Sequence, residues 1–270
     1  MPFFPDTVGR FRLVGAPAPV WRPPQLGALG ALLAHFSLGD REPPIVSIPT
    51  GAGKTAVALA AAYLLPTAPR RILIVEPSVA LREQVTEEAR TLRTLRRIGS
   101  IAIDTPQPNV HEMKGLTSDW SSFANADIVV ALPNSISPEH YEPDHLPPAD
   151  LFDFVIVDEA HHVVAATWLA IVSHFTGAQT ILLTATPFRR DGKRLPGKVI
   201  YHYPVSTALA DGIYQPIEPH LITVAEGEDR GATDLRIVSR VIELLGEPRH
   251  ESSALRRCKT SEETWCCRGG

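Results

Sequence analysis

The sequence predicts an α/β fold, in which a mostly parallel β-sheet is covered by helices on both faces. Short runs of β-branched and aliphatic residues recur along the 270-residue chain, and such runs are typical of strands buried on both faces. Segments with apolar residues at helical spacing lie between these runs. Hydrophobic residues make up 44% of the chain and charged residues 21%, which is typical of a globular protein. Strands that alternate with helices in this way form parallel sheets.

The predicted elements follow one another in a regular order. Strands are predicted over residues 45–48, 71–75, 101–103, 128–130, 154–157 and 181–183, and a last strand over 219–224 leads out of the sheet. Helices are predicted over residues 55–65, 79–97 and 235–245, and the Pro-rich segment 138–148 is predicted to be a surface loop. We therefore expect an N-terminal segment over 1–19, one α/β lobe over 20–225, and a linker helix with an irregular tail over 226–270.

Charge, apolar run length and cysteine content exclude several classes of protein. The chain has 26 Lys and Arg against 30 Asp and Glu, so its formal net charge of −4 argues against a histone-like nucleic-acid binder. The longest apolar run, residues 56–65, is about half of the roughly 20 residues that a membrane-spanning helix needs, and the N-terminus lacks a signal-peptide pattern. The three cysteines are Cys258, Cys266 and Cys267, and their spacing with His250 fits no zinc pattern. We therefore expect a soluble, cytoplasmic protein.

A glycine-rich segment between the first predicted strand and helix has the features of a phosphate-binding loop. Its residues are Pro49, Thr50, Gly51, Ala52, Gly53, Lys54 and Thr55. The two glycines let backbone N–H groups point at an anion, and the N-terminus of the following helix adds its dipole. Lys54 can contact the β- and γ-phosphates of a nucleotide, and the Thr55 hydroxyl can bind Mg²⁺. Ile48 stands where the general pattern has Gly or Ala, and a glycine-rich turn without a ligand is the alternative.

Two adjacent carboxylates, Asp158 and Glu159, follow the predicted strand 154–157. Ligands bind at the C-terminal edge of a parallel sheet, so this is a place where they can take part in chemistry. Asp158 can hold the Mg²⁺ of Mg-ATP, and Glu159 can orient and deprotonate the attacking water. The alternative is a solvated acidic pair at the N-terminus of a helix, where the helix dipole favours negative charge.

These motifs resemble those of superfamily 2 helicases and translocases. Residues 158–161 read Asp-Glu-Ala-His and match the DEAH box, and residues 49–55 resemble the PTGxGKT loop of that superfamily. Residues 183–187, Leu-Thr-Ala-Thr-Pro, resemble its TAT motif. The segment TATPFRRDG, together with Ala-Leu-Ala-Asp-Gly at 208–212, is most similar to the restriction-enzyme motor group of the Res subunit type. The resemblance covers residues 20–225 and implies a RecA-like P-loop NTPase lobe that binds ATP and Mg²⁺.

The resemblance also implies roles for further residues. The segment 21–25 is similar to the R-P-x-Q motif, in which Gln25 would read adenine beside Arg22. Two segments, 76–81 and 126–135, resemble motifs that touch the nucleic-acid backbone, and DNA is the partner that the subgroup implies. The residues implied in nucleic-acid contact are Pro77, Ser78, Pro133, Asn134 and Ser135, and those implied in coupling the two sites are His161, Thr184 and Thr186. Lys54, Asp158 and Glu159 would be the catalytic residues.

One motif that the resemblance calls for is absent from this sequence, and it bears on the rate of hydrolysis. A second lobe of the family motor normally carries a Q-x-x-R-x-x-R motif, whereas the last glutamine in this sequence is Gln215. We therefore expect weak hydrolysis, and the alternative to a DNA helicase lobe is a nucleotide-binding module that needs a partner lobe. A P-loop GTPase or kinase is disfavoured because no N-K-x-D guanine motif is present. A net basic run forms either a solvated loop or a phosphate-tracking patch, and its residues are Arg189, Arg190, Lys193, Arg194 and Lys198.

Overall fold

The computed structural model of the protein describes residues 2–13, 21–160, 165–186, 195–215, 221, 229–245, 253–258 and 264–269. These residues form two compact units, Met1–Val205 and Ser206–Gly270. None of the helices in these ranges combines the length and the apolarity that crossing a membrane requires.

The first unit is built on a seven-stranded sheet. Its strands are β1 (Pro44–Ser47), β2 (Ile72–Val75), β3 (Val110–Met113), β4 (Ile128–Ala131), β5 (Phe154–Val157), β6 (Gln179–Thr184) and β7 (Lys198–His202). The spatial order is β3-β4-β2-β5-β6-β1-β7, and every pairing is parallel. Parallel strands need crossover connections, and helices supply many of them here.

The helices of this unit are α1 (Phe3–Thr7), α2 (Pro23–Ser37), α3 (Lys54–Ala61), α4 (Val79–Thr91), α5 (Arg93–Ile98), α6 (Pro133–Ile136) and α7 (Ala165–His174). Short 3₁₀ turns lie at Val8–Arg10, Ala62–Leu64, Ser121–Phe123, Pro138–His140 and Pro143–His145. Every residue of the inner strands β2, β4 and β5 is buried, which is why these strands are continuous apolar runs. Trp168 and Phe175 pack against the sheet in one apolar cluster with Val129, Val155 and Leu182.

The second unit contains α8 (Val205–Ala210), which begins at the boundary, and α9 (Arg230–Leu245). The backbone also forms two antiparallel strands, β8 (Ser253–Cys258) and β9 (Thr264–Gly269). The sequence predicts an irregular tail in this region, whereas the backbone forms a strand pair. The helix predicted over 235–245 lies within α9, whereas the strand predicted over 219–224 falls outside the described residues, apart from Leu221. The lobe bounds 20–225 stay a prediction.

The structure confirms the predicted α/β class and corrects two of its elements. The strand predicted over 101–103 is wrong: Thr105 N–H donates to the carbonyl of Ala102 in a turn, and Ile103 is 85% exposed. Instead, the edge strand β3 lies in a segment without a clear sequence pattern. The helix predicted over 79–97 is two helices, because Leu92 adopts a left-handed backbone (φ 48°) between α4 and α5. The predicted loop 138–148 contains two 3₁₀ turns.

Candidate nucleotide-binding site

The candidate site lies at the C-terminal edge of the sheet. The phosphate loop joins β1 to α3, and the acidic pair Asp158 and Glu159 directly follows β5. Ile48, at the place where the general pattern has Gly or Ala, is fully buried, and its N–H donates to the carbonyl of Thr184 on β6. This departure therefore extends the β1 ladder by one residue and leaves the glycines of the loop in place.

The phosphate loop has the backbone that its glycines predict. Gly51 and Gly53 both have positive φ, at 83° and 95°, and Gly53 caps the N-terminus of α3. Ala52 N–H donates to the carbonyl of Pro49, which closes the turn. An L residue with a side chain is strained at these angles, so both glycines are needed for the path of the chain.

Lys54 and Glu159 meet in a buried ion pair. The Lys54 Nζ donates to the Glu159 Oε1, and the two residues are only 7% and 9% exposed. Glu159 also has a left-handed backbone (φ 46°), which costs about 1–2 kcal/mol for a residue with a side chain. Strain of this kind at a non-glycine residue is found in functional sites, and here it directs the carboxylate of the acidic pair to the lysine of the phosphate loop.

Asp158 is fixed by the sheet and by its neighbour. Its N–H donates to the carbonyl of Val75 on β2, and its Oδ1 accepts from the N–H of Glu159 at 2.8 Å. Burial raises the pKa of Asp158 to about 6, the charge of Lys54 opposes this shift, and the charge of Glu159 adds to it. A carboxylate in this setting is stabilised by a nearby cation.

A third carboxyl, Glu76, lies beside this pair, and the sequence motifs do not single it out as a residue of the nucleotide site. Glu76 directly follows β2 and is 1% exposed. Burial raises its pKa to about 9, with the charges of Asp158 and Glu159 adding to the shift and Lys54 opposing it. The signal in the sequence is an acidic residue at the end of an apolar strand, although the resemblance of this segment points to nucleic-acid contact instead.

The residues present fit a magnesium ion that arrives with a nucleotide. The Thr55 hydroxyl and the Asp158 carboxylate are oxygen donors of the kind that Mg²⁺ prefers. In the part of the chain that the structure describes, no cluster of three or more His, Cys, Asp or Glu side chains could hold a metal by itself. Mg²⁺ usually binds through one or two protein oxygens, nucleotide phosphates and water, so this sparse donor set suits it.

Arg22 and Gln25 contact the phosphate loop from the start of α2. Gln25 Nε2 donates to the carbonyl of Gly53, and an Arg22 guanidinium N–H donates to the carbonyl of Gly51, both at 3.2 Å. The Gln25 Oε1 in turn accepts from the backbone N–H of Arg22 at 2.9 Å. Both residues are therefore next to the loop, and the reading of adenine by Gln25 stays a prediction.

Replacing Gly53 by alanine is expected to destabilise the protein by at least about 2 kcal/mol, because its φ is positive and the new Cβ would collide with the amide of Gln25. Gly39 is the matched control, since it has φ 69° and no atom lies within 4 Å of the position that an added Cβ would take. Urea unfolding of both variants separates the two effects. Gly39→Ala should cost only about 1–2 kcal/mol. Equal losses would show that the Gln25 contact contributes nothing.

Thr184 and Thr186, for which the resemblance implies a coupling role, lie at the end of β6, between β5 and β1. The Thr184 Oγ1 accepts from the N–H of Thr186 at 3.1 Å, so the two threonines form a local turn beside the phosphate loop. His161 lies outside the described residues, as do Arg189, Arg190, Lys193 and Arg194. Lys198 is the described member of that basic run. It begins β7, at the N-terminal edge of the sheet, and its Nζ pairs with Asp40 Oδ2 at 3.0 Å.

The two predicted nucleic-acid segments lie side by side, because they follow the neighbouring strands β2 and β4. Ser78 is exposed and caps α4, where its Oγ accepts from Leu81 N–H at 3.4 Å. Asn134 is also exposed, whereas the side chain of Ser135 is buried at 6% exposure. Pro77 and Pro133 are partly buried and direct the chain away from the two strands.

The parallel sheet, the phosphate loop after β1 and the acidic pair after β5 define the class of P-loop nucleotide-binding domains with a RecA-like sheet. Within this class, the family model described as "Type III restriction enzyme, res subunit" matches residues 19–189. The chain therefore belongs to the Res-subunit (ResIII) family.

The chain also resembles individual proteins. A Schizosaccharomyces pombe protein, provisionally named mitochondrial ATP-dependent helicase irc3, is 29% identical over 225 residues, which are 77% of this chain and 33% of the relative. A nuclease-deletion mutant of the Type ISP restriction-modification enzyme LlaGI, solved with a DNA substrate mimic, has a TM-score of 0.50 and 20% identity over 83% of this chain and 22% of that one. The UvsW helicase from bacteriophage T4 has a TM-score of 0.48 and 18% identity, over 73% and 66%. The chain spans about a third of the length of the curated relative that it matches.

Proposed function

We propose that this chain is the ATP-binding motor lobe of a DEAH-type DNA helicase or translocase, which hydrolyses ATP with Mg²⁺ and contacts the nucleic-acid backbone. The observation that carries the proposal is the buried contact between Lys54 of the phosphate loop and Glu159 of the acidic pair. Two motifs 105 residues apart in the chain meet there, at the sheet edge where parallel α/β proteins bind ligands. A solvated acidic pair or a ligand-free glycine turn would not require this contact.

The arrangement gives each residue a part in hydrolysis. The N–H groups of the phosphate loop and the N-terminus of α3 bind the phosphates. Lys54 would bind the β- and γ-phosphates in place of Glu159, and the Glu159 carboxylate would orient water and accept its proton. Thr55 and Asp158 would hold Mg²⁺, which neutralises phosphate charge when bound.

The nucleic-acid part of the proposal relies on the two exposed segments at the same edge. The N-terminus of α4 presents backbone N–H groups beside Ser78, and such groups bind phosphate without reading sequence. Asn134 is exposed on the neighbouring segment. LlaGI was solved with a DNA substrate mimic, which supports DNA as the partner.

The alternative is a catalytically weak nucleotide-binding module that needs a partner lobe. It is supported by the source of two cations at the site. Lys54, which pairs with Glu159, and Arg22, which donates to Gly51, both belong to this lobe. A second lobe that supplies an arginine to the γ-phosphate typically raises the rate by about 10³–10⁵ in related NTPases. This alternative predicts ATP binding with hydrolysis near background and no response to DNA.

Steady-state ATP hydrolysis with and without single-stranded DNA, duplex DNA and RNA tests the proposal. We expect ATP binding, slow turnover and a modest stimulation by DNA. Asn134→Asp places a negative charge in the contact segment and should weaken DNA binding severalfold, since phosphate contact is electrostatic. Asn125→Asp is the matched control, because Asn125 is exposed before β4 at the opposite edge of the sheet. Equal DNA affinity in both variants contradicts the nucleic-acid surface, and a chain that binds no ATP contradicts the whole proposal.

A further inference from the structure

Glu76 is a buried carboxyl at the nucleotide site for which the reaction proposed above has no role. Its backbone continues the sheet, since its N–H donates to the carbonyl of Ala131 at 2.9 Å. The side chain is 1% exposed, and its Oε2 has no hydrogen-bond partner among the described residues. A buried carboxyl oxygen without a partner costs free energy, so its retention needs an explanation.

The register of the sheet places Glu76 beside Asp158. Val75 pairs with Val157 in the parallel ladder between β2 and β5, so the next residues of the two strands are also neighbours. The ladder continues at this point, because Asp158 N–H donates to the carbonyl of Val75. Residues at matching positions of adjacent strands point to the same side of a sheet. The side chains of Glu76 and Asp158 therefore lie on the same face of the sheet, at its C-terminal edge.

The charges around Glu76 show an excess of carboxylates. The negative charges of Asp158 and Glu159 raise the pKa of Glu76, and the positive charge of Lys54 lowers it. Lys54 is already paired with Glu159. Among the described residues that act on Glu76, two are acids and one is a lysine, and a divalent cation is a ligand that would stabilise such a group of acids.

We propose that Glu76 is a positioning residue for the divalent cation of the bound nucleotide, which it holds through the cation's water ligands. The inference depends on the proposed ATP site. Mg²⁺ keeps several of its waters in nucleotide sites, and those waters donate hydrogen bonds to nearby carboxylates. Such a partner orients the ion without ligating it directly, and it accounts for the carboxyl oxygen that no described protein group satisfies.

The test is a titration of Mg²⁺ against binding of a fluorescent ATP analogue, in the full chain and in Glu76→Gln. The amide keeps the shape of the side chain but is a weaker acceptor for cation-bound water. We expect the Mg²⁺ concentration for half-maximal binding to rise about tenfold. Binding of the analogue in EDTA should stay within about twofold, since no cation is present for Glu76 to position. Glu88→Gln is the control, because Glu88 is a buried acid of α4 that hydrogen-bonds Thr94 N–H.

The outcomes separate this inference from the function on which it depends. An unchanged Mg²⁺ requirement in Glu76→Gln, while the parent chain binds the analogue, overturns the inference and leaves the ATP site intact. An equal loss of affinity with and without Mg²⁺ also overturns it, because that result indicates a structural role. A parent chain that fails to bind the analogue at saturating Mg²⁺ contradicts the proposed function itself. Thermal unfolding without nucleotide checks that each variant is folded.

Discussion

Replacing Lys54 by alanine will weaken ATP binding about 100-fold, a loss equal to the strongest charge-assisted hydrogen bonds. Lys54 is 7% exposed and lies at the first position of α3, where the loop N–H groups already favour an anion. Its ammonium is the charge that the phosphate loop supplies from inside the site, and water cannot replace it there. Titration with a fluorescent ATP analogue measures the loss.

Two control variants distinguish loss of the phosphate contact from loss of folding. Lys114→Ala removes the same charge from a side chain that is 74% exposed, and it should leave ATP affinity unchanged. Lys54→Ala also leaves Glu159 as a buried carboxylate without its lysine, which can destabilise the fold by about 3–5 kcal/mol. Lys54→Ala combined with Glu159→Gln removes both members of the pair and should recover much of that stability. Full ATP affinity in a folded Lys54→Ala variant would show that the loop is not a phosphate site.

Replacing Glu159 by glutamine will remove hydrolysis while ATP binding persists. The amide cannot accept a proton from the attacking water, and loss of a general base typically costs about 10²–10⁴ in rate. Binding persists because Lys54, Thr55 and the loop N–H groups are untouched. The left-handed backbone of Glu159 is tolerated equally by either side chain, so the substitution changes the chemistry and little else.

Single-turnover hydrolysis, with nucleotide affinity measured in parallel, checks this expectation. Asp158→Asn is the comparison variant, because it should weaken the dependence on Mg²⁺ rather than abolish proton transfer. Parent-like hydrolysis in both variants would mean that the acidic pair is structural. Loss of binding in Glu159→Gln would instead assign this residue to holding the loop.

The sequence could predict the inner strands and the phosphate loop because their signals are local. β2, β4 and β5 are continuous apolar runs, and the loop carries its glycines and lysine in neighbouring positions. The sequence did not predict β3, because an edge strand is only partly buried. Its polar residues His111 and Glu112 interrupt the apolar pattern. Burial of a single acidic side chain leaves no periodic pattern, and the role of Glu76 therefore depended on the register of two strands that are distant in sequence.

The end of β2 joins the two proposed sites within a few covalent bonds. Glu76 precedes Pro77 and Ser78 directly, and its N–H holds the carbonyl of Ala131, which leads into the segment that contains Asn134. The Glu76 peptide unit is therefore connected to both proposed nucleic-acid segments, to one through the chain and to the other through this hydrogen bond of the ladder. The proposed nucleotide site and the proposed nucleic-acid segments therefore meet at one place, the C-terminal end of β2.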